Sequence, residues 1–387
     1  MTTPSGRSPF CLFIALGLVL IAGAGLSCTY VIKDRFKQLR ALYRGGFPAV
    51  RPSDSMMLPL KLWNVPFGEE TGTVLDVKTV RLRGVPAPYN SSLIDDGENF
   101  LLFFRHDELL GNSAHSLRSR IGVAELDANF DQTEKPVEWV DLSSDRNEDP
   151  RIFRAGRALH LLYNSSESPD EKTGLRHMRI ARLDEGYVRV DGEAPCRFDG
   201  QKTEKNWTPF VVTRPSGEEI HIKYYLFPNQ NLKITDPLTG SMEKTSFERG
   251  SPRPFSPGWG WGILRGGTPA LKVDDKRYLA FFHSRFRCAD DSVWYVMGAY
   301  TFEVDPPYRI TGISHYPILF KGIYSSPPLN TAPTHLRNMF PAGFVLGKKG
   351  GREVIWLSVG ENDAATKILT LDKEKVLAGL KEVRHVD

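Results

Sequence analysis

Over most of the chain, apolar and polar positions change over every few residues instead of recurring with helical spacing. Runs such as "FLLFFRH" from Phe100, "ALHLLYN" from Ala158, "EIHIKYY" from Glu219, "YLAFFHS" from Tyr278 and "VIWLSVG" from Val354 are parted by Gly, Asp, Asn and Pro. Short β-branched and aromatic runs bounded by turn formers predict strands. A helix is expected only at the tail, "LDKEKVLAGLKEVRHVD", with Leu377 and Leu380 on its apolar side.

The strands come in copies of one unit. Five stretches, "VPAPYNSSLIDDGENFLLFFRH", "NEDPRIFRAGRALHLLYN", "KNWTPFVVTRPSGEEIHIKYY", "GGTPALKVDDKRYLAFFHS" and "NMFPAGFVLGKKGGREVIWLSVGEND", share a plan. A polar residue or Gly precedes a Pro, then follow an apolar strand, a charged turn and an aromatic strand ending in polar residues. The prolines are Pro88, Pro150, Pro209, Pro269 and Pro341, spaced 62, 59, 60 and 72 residues apart. A large β-sandwich would not require such spacing. Five units of this size predict an all-β, five-bladed β-propeller, with four-stranded blades round a central channel. A Pro suits the first residue of each innermost strand, where the missing N–H costs least. The start of the first strand and the end of the second then share one rim. Glu148, Asp149, Lys205, Asn206, Arg265 and Asn338 are thereby expected beside Arg105, His106, Asn164, Tyr225, His283, Asn362 and Asp363.

The N-terminus changes the picture. Phe10 to Ile32 form an uncharged run of 23 residues. About 20 apolar residues span a bilayer as a helix, and the run exceeds a usual signal-peptide core. The expected layout is a tail (1–9), a transmembrane signal anchor (10–32), a stem (33–70) and the propeller (71–387). Lys33, Arg35, Lys37, Arg40 and Arg44 follow the span, and by charge alone would hold the propeller in the cytosol. Acceptor sequons at Asn90, Asn164 and Asn206 and the one-span, basic-stem layout favour the opposite, a type II protein with a lumenal or otherwise extracytoplasmic domain.

The remaining composition is that of an ordinary globular protein, with a net charge of +4 that gives no footprint for nucleic acid. Cys11, Cys28, Cys196 and Cys288 show no zinc spacing, and Cys196 and Cys288 form one candidate disulfide. There is no GxGxxG, Walker loop, GxSxG, HExxH or DxD triplet, so no cofactor and no metal site is implied.

Within the predicted funnel, Asp149 is the leading catalytic candidate. An Asp before Pro also caps strands. Here Glu148 supplies a like charge and Arg151 an opposite one, which is how a carboxyl pair is split into an acid and an ionised partner. Glu148 would orient Asp149 or hold substrate. Lys205 either pairs with Glu204 in a solvated turn or holds an anion, in which case Arg151, Arg176 and His283 join it on phosphate oxygens. Trp259 and Trp261, in "SPGWGWGILRGG", are core residues or a stacking platform for a sugar ring.

Taken in order, "EDPRIF", "EKNWTPF", "GGTPALKVDDKRYLAFFHS" and "NMFPAGFVLG…VGENDAATKI" resemble the signature segments of glycoside hydrolase family 130 and related propellers, across about residues 85 to 370. That group contains β-mannoside phosphorylases and β-1,2-mannosyltransferases. The resemblance implies that Asp149 is the single catalytic acid, Lys205 and His283 bind phosphate, Arg176 (or Arg179) does likewise, and Asp363 binds the sugar in the −1 subsite. The chain departs from the phosphorylases at "FFHSRF", at "KNWTPF" and in its membrane span. These departures favour a membrane-anchored β-mannosyltransferase that extends a glycan from a nucleotide-sugar donor. A phosphorylase or hydrolase that cuts β-mannosides, the phosphorylase using inorganic phosphate, is the alternative, and a non-catalytic glycan-binding propeller is a third.

Overall fold

The computed structural model describes residues 58–109, 117–166, 176–198, 203–248, 259–327 and 336–383. The expected tail, anchor and most of the stem lie outside these residues, and no described helix is long and apolar enough to cross a membrane. Residues 58–64 belong to a separate unit and contain one 3-10 turn, Leu60–Leu62.

Val65–Asp387 forms the second unit, and its strands fall into five sheets that are antiparallel apart from one short parallel pair, Val293 and Trp294 with Leu336 and Arg337. Strand β1 is Val74–Val80. Blade 1 holds β2 (Tyr89–Asp95), β3 (Phe100–Leu109), β4 (Leu117–Leu126) and β5 (Glu138–Trp139). Blade 2 holds β6 (Asn147–Ala155), β7 (Ala158–Ser165), β8 (His177–Leu183) and β9 (Val190–Pro195). Blade 3 holds β10 (Thr208–Arg214), β11 (Gly217–Tyr225), β12 (Gln230–Asp236) and β13 (Ser241–Phe247). Blade 4 is larger: β14 (Arg265–Gly266), β15 (Leu271–Lys272), β16 (Arg277–Arg287), β17 (Val293–Glu303), β18 (Ile310–Ser314) and β19 (Leu336–Arg337). Blade 5 holds β20 (Met339–Lys349), β21 (Arg352–Glu361) and β22 (Ala365–Asp372). The chain is a five-bladed β-propeller, as the repeats predict.

The ends of the unit are tied into the ring. β1 supplies the outermost strand of blade 5 by pairing with β22, from Val74↔Leu371 to Val80↔Thr366. The tail differs from expectation. Its helix, α1, is only Lys373–Ala378, with Asp372 accepting from Lys375 N as the N-cap. Gly379 ends it, and Leu380 starts strand β23 (Leu380–Glu382), which pairs with β18 in blade 4.

Apolar residues on facing sheets form the core between blades. Leu101, Phe103 and Ile121 of blade 1 pack with Ile152, Leu161 and Tyr163 of blade 2. Phe153, Leu162 and Ile180 of blade 2 pack with Trp207, Ile222 and Tyr224 next to and in blade 3. Blades 5 and 1 meet through Val345, Ile368, Leu93 and Phe104. Near the channel small residues replace these: a Cβ on Gly343 of blade 5 would lie 2.4 Å from Ser92 Oγ of blade 1. Fully buried, Leu161 is expected to cost about 2–5 kcal/mol of unfolding free energy when cut to Ala. Urea denaturation with an unchanged slope checks this.

Candidate active site

The inner strands of blades 1 and 2 carry the same irregularity. Between Tyr89↔Arg105 and Ser92↔Phe103, β2 has one residue more than β3, and β6 has one more than β7 between Glu148↔Asn164 and Arg151↔Leu162. A bulge of this kind re-aims a side chain. Asn90 in the first bulge has φ 46° and Asp149 in the second has φ 54°. Asn206, Asn362 and Asp363 also have positive φ, at 64°, 53° and 51°. Asn and Asp tolerate this region best among residues with a Cβ, yet each still carries strain. These five residues, on blades 1, 2 and 5 and on the approach to blade 3, belong to one rim.

Asn90 and Asp149 join the two bulges, Asn90 Nδ2 donating to Asp149 Oδ1 at 2.8 Å. Arg105 NH1 lies 3.7 Å from the same oxygen. Both contacts fall on Oδ1, which leaves Oδ2 for a substrate. Arg151, expected to be the cation beside this carboxyl, takes another course. Completely buried, it donates from NH1 to the Asp149 carbonyl at 3.0 Å and from Nε to the Gly267 carbonyl at 2.6 Å. Asp149 is in blade 2 and Gly267 in blade 4, so this guanidinium crosses the channel and closes its floor. Burial pushes its pKa down to about 10, still cationic at neutral pH.

Glu148 collects three cations. Its Oε1 meets Arg176 NH1 at 2.6 Å and Arg105 NH2 at 3.2 Å, and its Oε2 meets Lys205 Nζ at 3.0 Å. Burial raises the carboxyl, but Arg105, Lys205 and Arg176 outweigh it and hold Glu148 well below the usual carboxylate range. It is therefore an ionised anchor and not a proton donor. Lys205 does not pair with Glu204, which instead accepts from Trp207 Nε1 at 3.1 Å and Tyr224 OH at 2.9 Å. Lys205 and Arg176 remain partly exposed, with side chains 31% and 20% accessible. Behind Arg105 stands Asp107, which accepts from its Nε and NH2 at 2.8 Å each, from Tyr89 OH at 2.5 Å and from Ser119 Oγ at 2.6 Å.

Just after β21 of blade 5, Asp363 accepts from Asn338 Nδ2 at 2.7 Å. Loss of solvation raises its pKa to about 6, with Arg105 and Asn338 opposing and Asp149 and Asp107 adding to the rise. His283 is buried, tilted on Phe340 at 4.6 Å and stacked on Tyr295 at 5.9 Å. Burial first, then the charges of Arg265, Arg151 and Arg285, hold it neutral, well below the usual imidazole range.

Sequence reasoning placed Asn338 on the rim but missed Asn90 and Asp107 as partners in the site. The repeat does not mark Asn90: with Pro88 set against Pro150, Ala87 and not Asn90 falls opposite Asp149, and "NSS" reads as a sequon. Asn90 and Asn164 are in fact buried, and Asn164 Nδ2 donates to the Glu204 carbonyl at 2.6 Å, so a glycan fits on neither. Trp259 is not a sugar platform: it is buried on Phe282 and donates to Ser284 Oγ at 2.8 Å. Trp261 lies edge-on to Trp259 and packs towards Tyr316. Cys196 is a buried free thiol, so the candidate bond to Cys288 is not made. Among the described residues no group of three His, Cys, Asp or Glu is arranged to hold a metal ion.

A depressed carboxyl in the folded state stabilises at pH values above its unfolded pKa, and the contribution is lost as pH falls through the folded value. Glu148 therefore adds stability at neutral pH that fades below about pH 4.3, the ordinary Glu value. Glu148→Gln is expected to flatten this acid limb of the urea midpoint against pH. An unchanged limb would show that the three cations do not depend on the charge.

No family model matches the chain, and no curated protein matches it in sequence. Solved structures do match. A GDP-mannose-dependent mannosyltransferase of Leishmania mexicana aligns over 83% of this chain and 97% of its own, with TM-score 0.54 and 14% identity. A mannose phosphorylase of Leishmania mexicana, in complex with phosphate ion, aligns over 83% and 95%, with TM-score 0.51 and 15% identity. A structure of the GH130 family of mannoside phosphorylases, which contains glycoside hydrolases that target β-1,2 mannosidic linkages in Candida mannan, aligns over 82% and 96%, with TM-score 0.54 and 14% identity. At these identities the likeness is one of fold, and the chain shares the five-bladed propeller of these proteins.

Proposed function

We propose that this chain is a carbohydrate-active enzyme of mannosides, and specifically a β-mannosyltransferase that extends a glycan from an activated mannose donor. The segregation of charge round the funnel supports this most. Acids stand on blades 1, 2 and 5 (Asp107, Glu148, Asp149, Asp363), and cations without an acid of their own blade stand before blade 3 and on blade 4 (Lys205, Arg265, Arg285). A sugar joined to phosphate is the molecule with this polarity: hydroxyls need carboxylate acceptors, and phosphate oxygens need cationic donors. The fold neighbours include proteins of this chemistry.

The roles follow from the contacts. With an α-linked nucleotide-diphosphate mannose, the acceptor hydroxyl attacks C1 on the face opposite the diphosphate. The bond from C1 to the phosphate oxygen breaks, its electron pair leaves with the diphosphate, and a β-bond to the acceptor oxygen forms. The hydroxyl proton passes to Asp149, whose Oδ2 is open while Asn90 fixes Oδ1. In the reverse direction the same carboxyl protonates the glycosidic oxygen. Glu148 sets Arg176 and Lys205 in place for the departing charge, and Asp363 accepts from hydroxyls of the mannosyl ring.

With the full chain, GDP-mannose and a β-1,2-mannobiose acceptor, GDP release with chain extension is expected. Asp149→Asn should lower the rate about 10²- to 10⁴-fold. Release of mannose 1-phosphate from β-mannobiose and inorganic phosphate, with no turnover of GDP-mannose, would replace the transferase by a phosphorylase. As pH rises through about 6, Asp363 ionises and becomes an acceptor for sugar hydroxyls, so kcat/KM should climb there. Asp363→Asn should remove that limb, and a limb that survives would assign the ionisation elsewhere.

A further inference from the structure

Two anion seats, and not one, are laid out on the basic side of the funnel. The first is the Arg176–Lys205 pair anchored on Glu148. The second lies on blade 4 and, among the described residues, has no carboxylate in it. Arg265 is the cross-strand partner of His283, and Arg285 follows His283 by two positions, so all three side chains stand on one face of the sheet. Arg265 and Arg285 are exposed while His283 between them is buried. The next residue of β14, Gly266, turns to the opposite face. A Cβ there would lie 2.3 Å from the Asn206 carbonyl and 2.5 Å from Thr208 Oγ1, so β14 is pressed against the residues that follow Lys205. The two seats are therefore neighbours on the rim.

Buried polar groups in the second seat lack partners. His283 Nδ1 makes no hydrogen bond, nor does NH2 of the buried Arg151, whose guanidinium lies over the Phe340 ring that also packs on His283. A buried donor left unpaired costs about 1–3 kcal/mol, and native proteins rarely leave two together without use. A neutral imidazole flanked by two guanidinium groups and free of carboxylates suits a phosphoryl group, whose oxygens accept from all three.

Resting on the transferase reading, we infer that Arg265, His283 and Arg285 hold the sugar-distal phosphate of a diphosphate-linked sugar, while Arg176 and Lys205 hold the sugar-proximal one. The site then reads a diphosphate, and orthophosphate fills only half of it. The chain's preference between a nucleotide-sugar donor and inorganic phosphate is set at Arg265 and Arg285. Both are exposed, so their replacement leaves the fold intact.

Isothermal titration of the full chain with inorganic pyrophosphate, orthophosphate and GDP tests this. Pyrophosphate and GDP should bind at least about tenfold more tightly than orthophosphate. Arg265→Gln and Arg285→Gln should each weaken pyrophosphate and GDP about 10- to 100-fold and change orthophosphate less than about twofold. Lys205→Met should weaken all three. If the arginine variants leave pyrophosphate and GDP unchanged, or weaken orthophosphate equally, the second seat is wrong and the transferase reading stands on the first alone. If no anion binds the wild-type chain, both fail together.

Discussion

One buried guanidinium fixes the centre of the molecule. A propeller channel is lined by the starts of its inner strands, and each of these ends in backbone groups that need partners. Arg151 supplies them across the gap, holding the carbonyl of Asp149 in blade 2 and that of Gly267 in blade 4. A charge taken out of water is costly unless its donors find acceptors; Nε and NH1 have theirs in these two carbonyls, and burial lowers the pKa of the group. The funnel above this floor inherits its geometry. Asp149 is held by its own main chain, so its carboxyl is aimed by the bulge and not by a flexible stem. Gly267 is held as well, which fixes the Arg265 end of the opposite wall.

Above the floor the ring is uneven in a useful way. Five similar hairpins would make a symmetric funnel with equal charge on every side. The bulges break this on blades 1 and 2, where Asn90 and Asp149 lean together, and the extra strands β14, β15 and β19 break it on blade 4. Carboxylates gather on one arc; on the other stand Lys205, which reaches back to Glu148, and the exposed Arg265 and Arg285. Ionised Glu148 at the boundary keeps Arg105, Arg176 and Lys205 from dispersing, and Asp107 keeps Arg105 from swinging away. Preorganised charge of this kind acts without reorganisation when charge develops in a reaction.

How far the sequence carried this depends on which features repeat. Blade number, the shared rim and most of its residues were legible, because strand period and turn chemistry recur every 60 residues or so. The gathering of Glu148, Asp149 and Lys205 followed from the rim alone, while Arg176 entered as a further cation for the same anion and through the resemblance. The fine register was not legible. Aligning Pro88 with Pro150 sets Ala87 opposite Asp149 and hides that Asn90 is its counterpart, since Pro88 precedes the bulge of blade 1 while Pro150 lies within that of blade 2. Long-range pairing was equally hidden: nothing local says that Arg151 turns to Gly267 and leaves the Asp149 side chain to Asn90. Trp259 misled because a Gly-rich loop resembles an exposed platform until Ser284 and Phe282 are seen beneath it. The tail misled because Leu380 satisfies a helical stripe and a strand edge alike.

The central claim is that the acid arc holds the sugar and the basic arc its phosphates. A crystal structure of the Asp149→Asn variant of the full chain with intact GDP-mannose tests it directly. The account predicts the mannosyl ring between positions 149 and 363, with C1 facing an open approach beside position 149, and the diphosphate running from Lys205 to Arg265. A diphosphate on blades 1 and 5, or a mannosyl ring against His283, would contradict it.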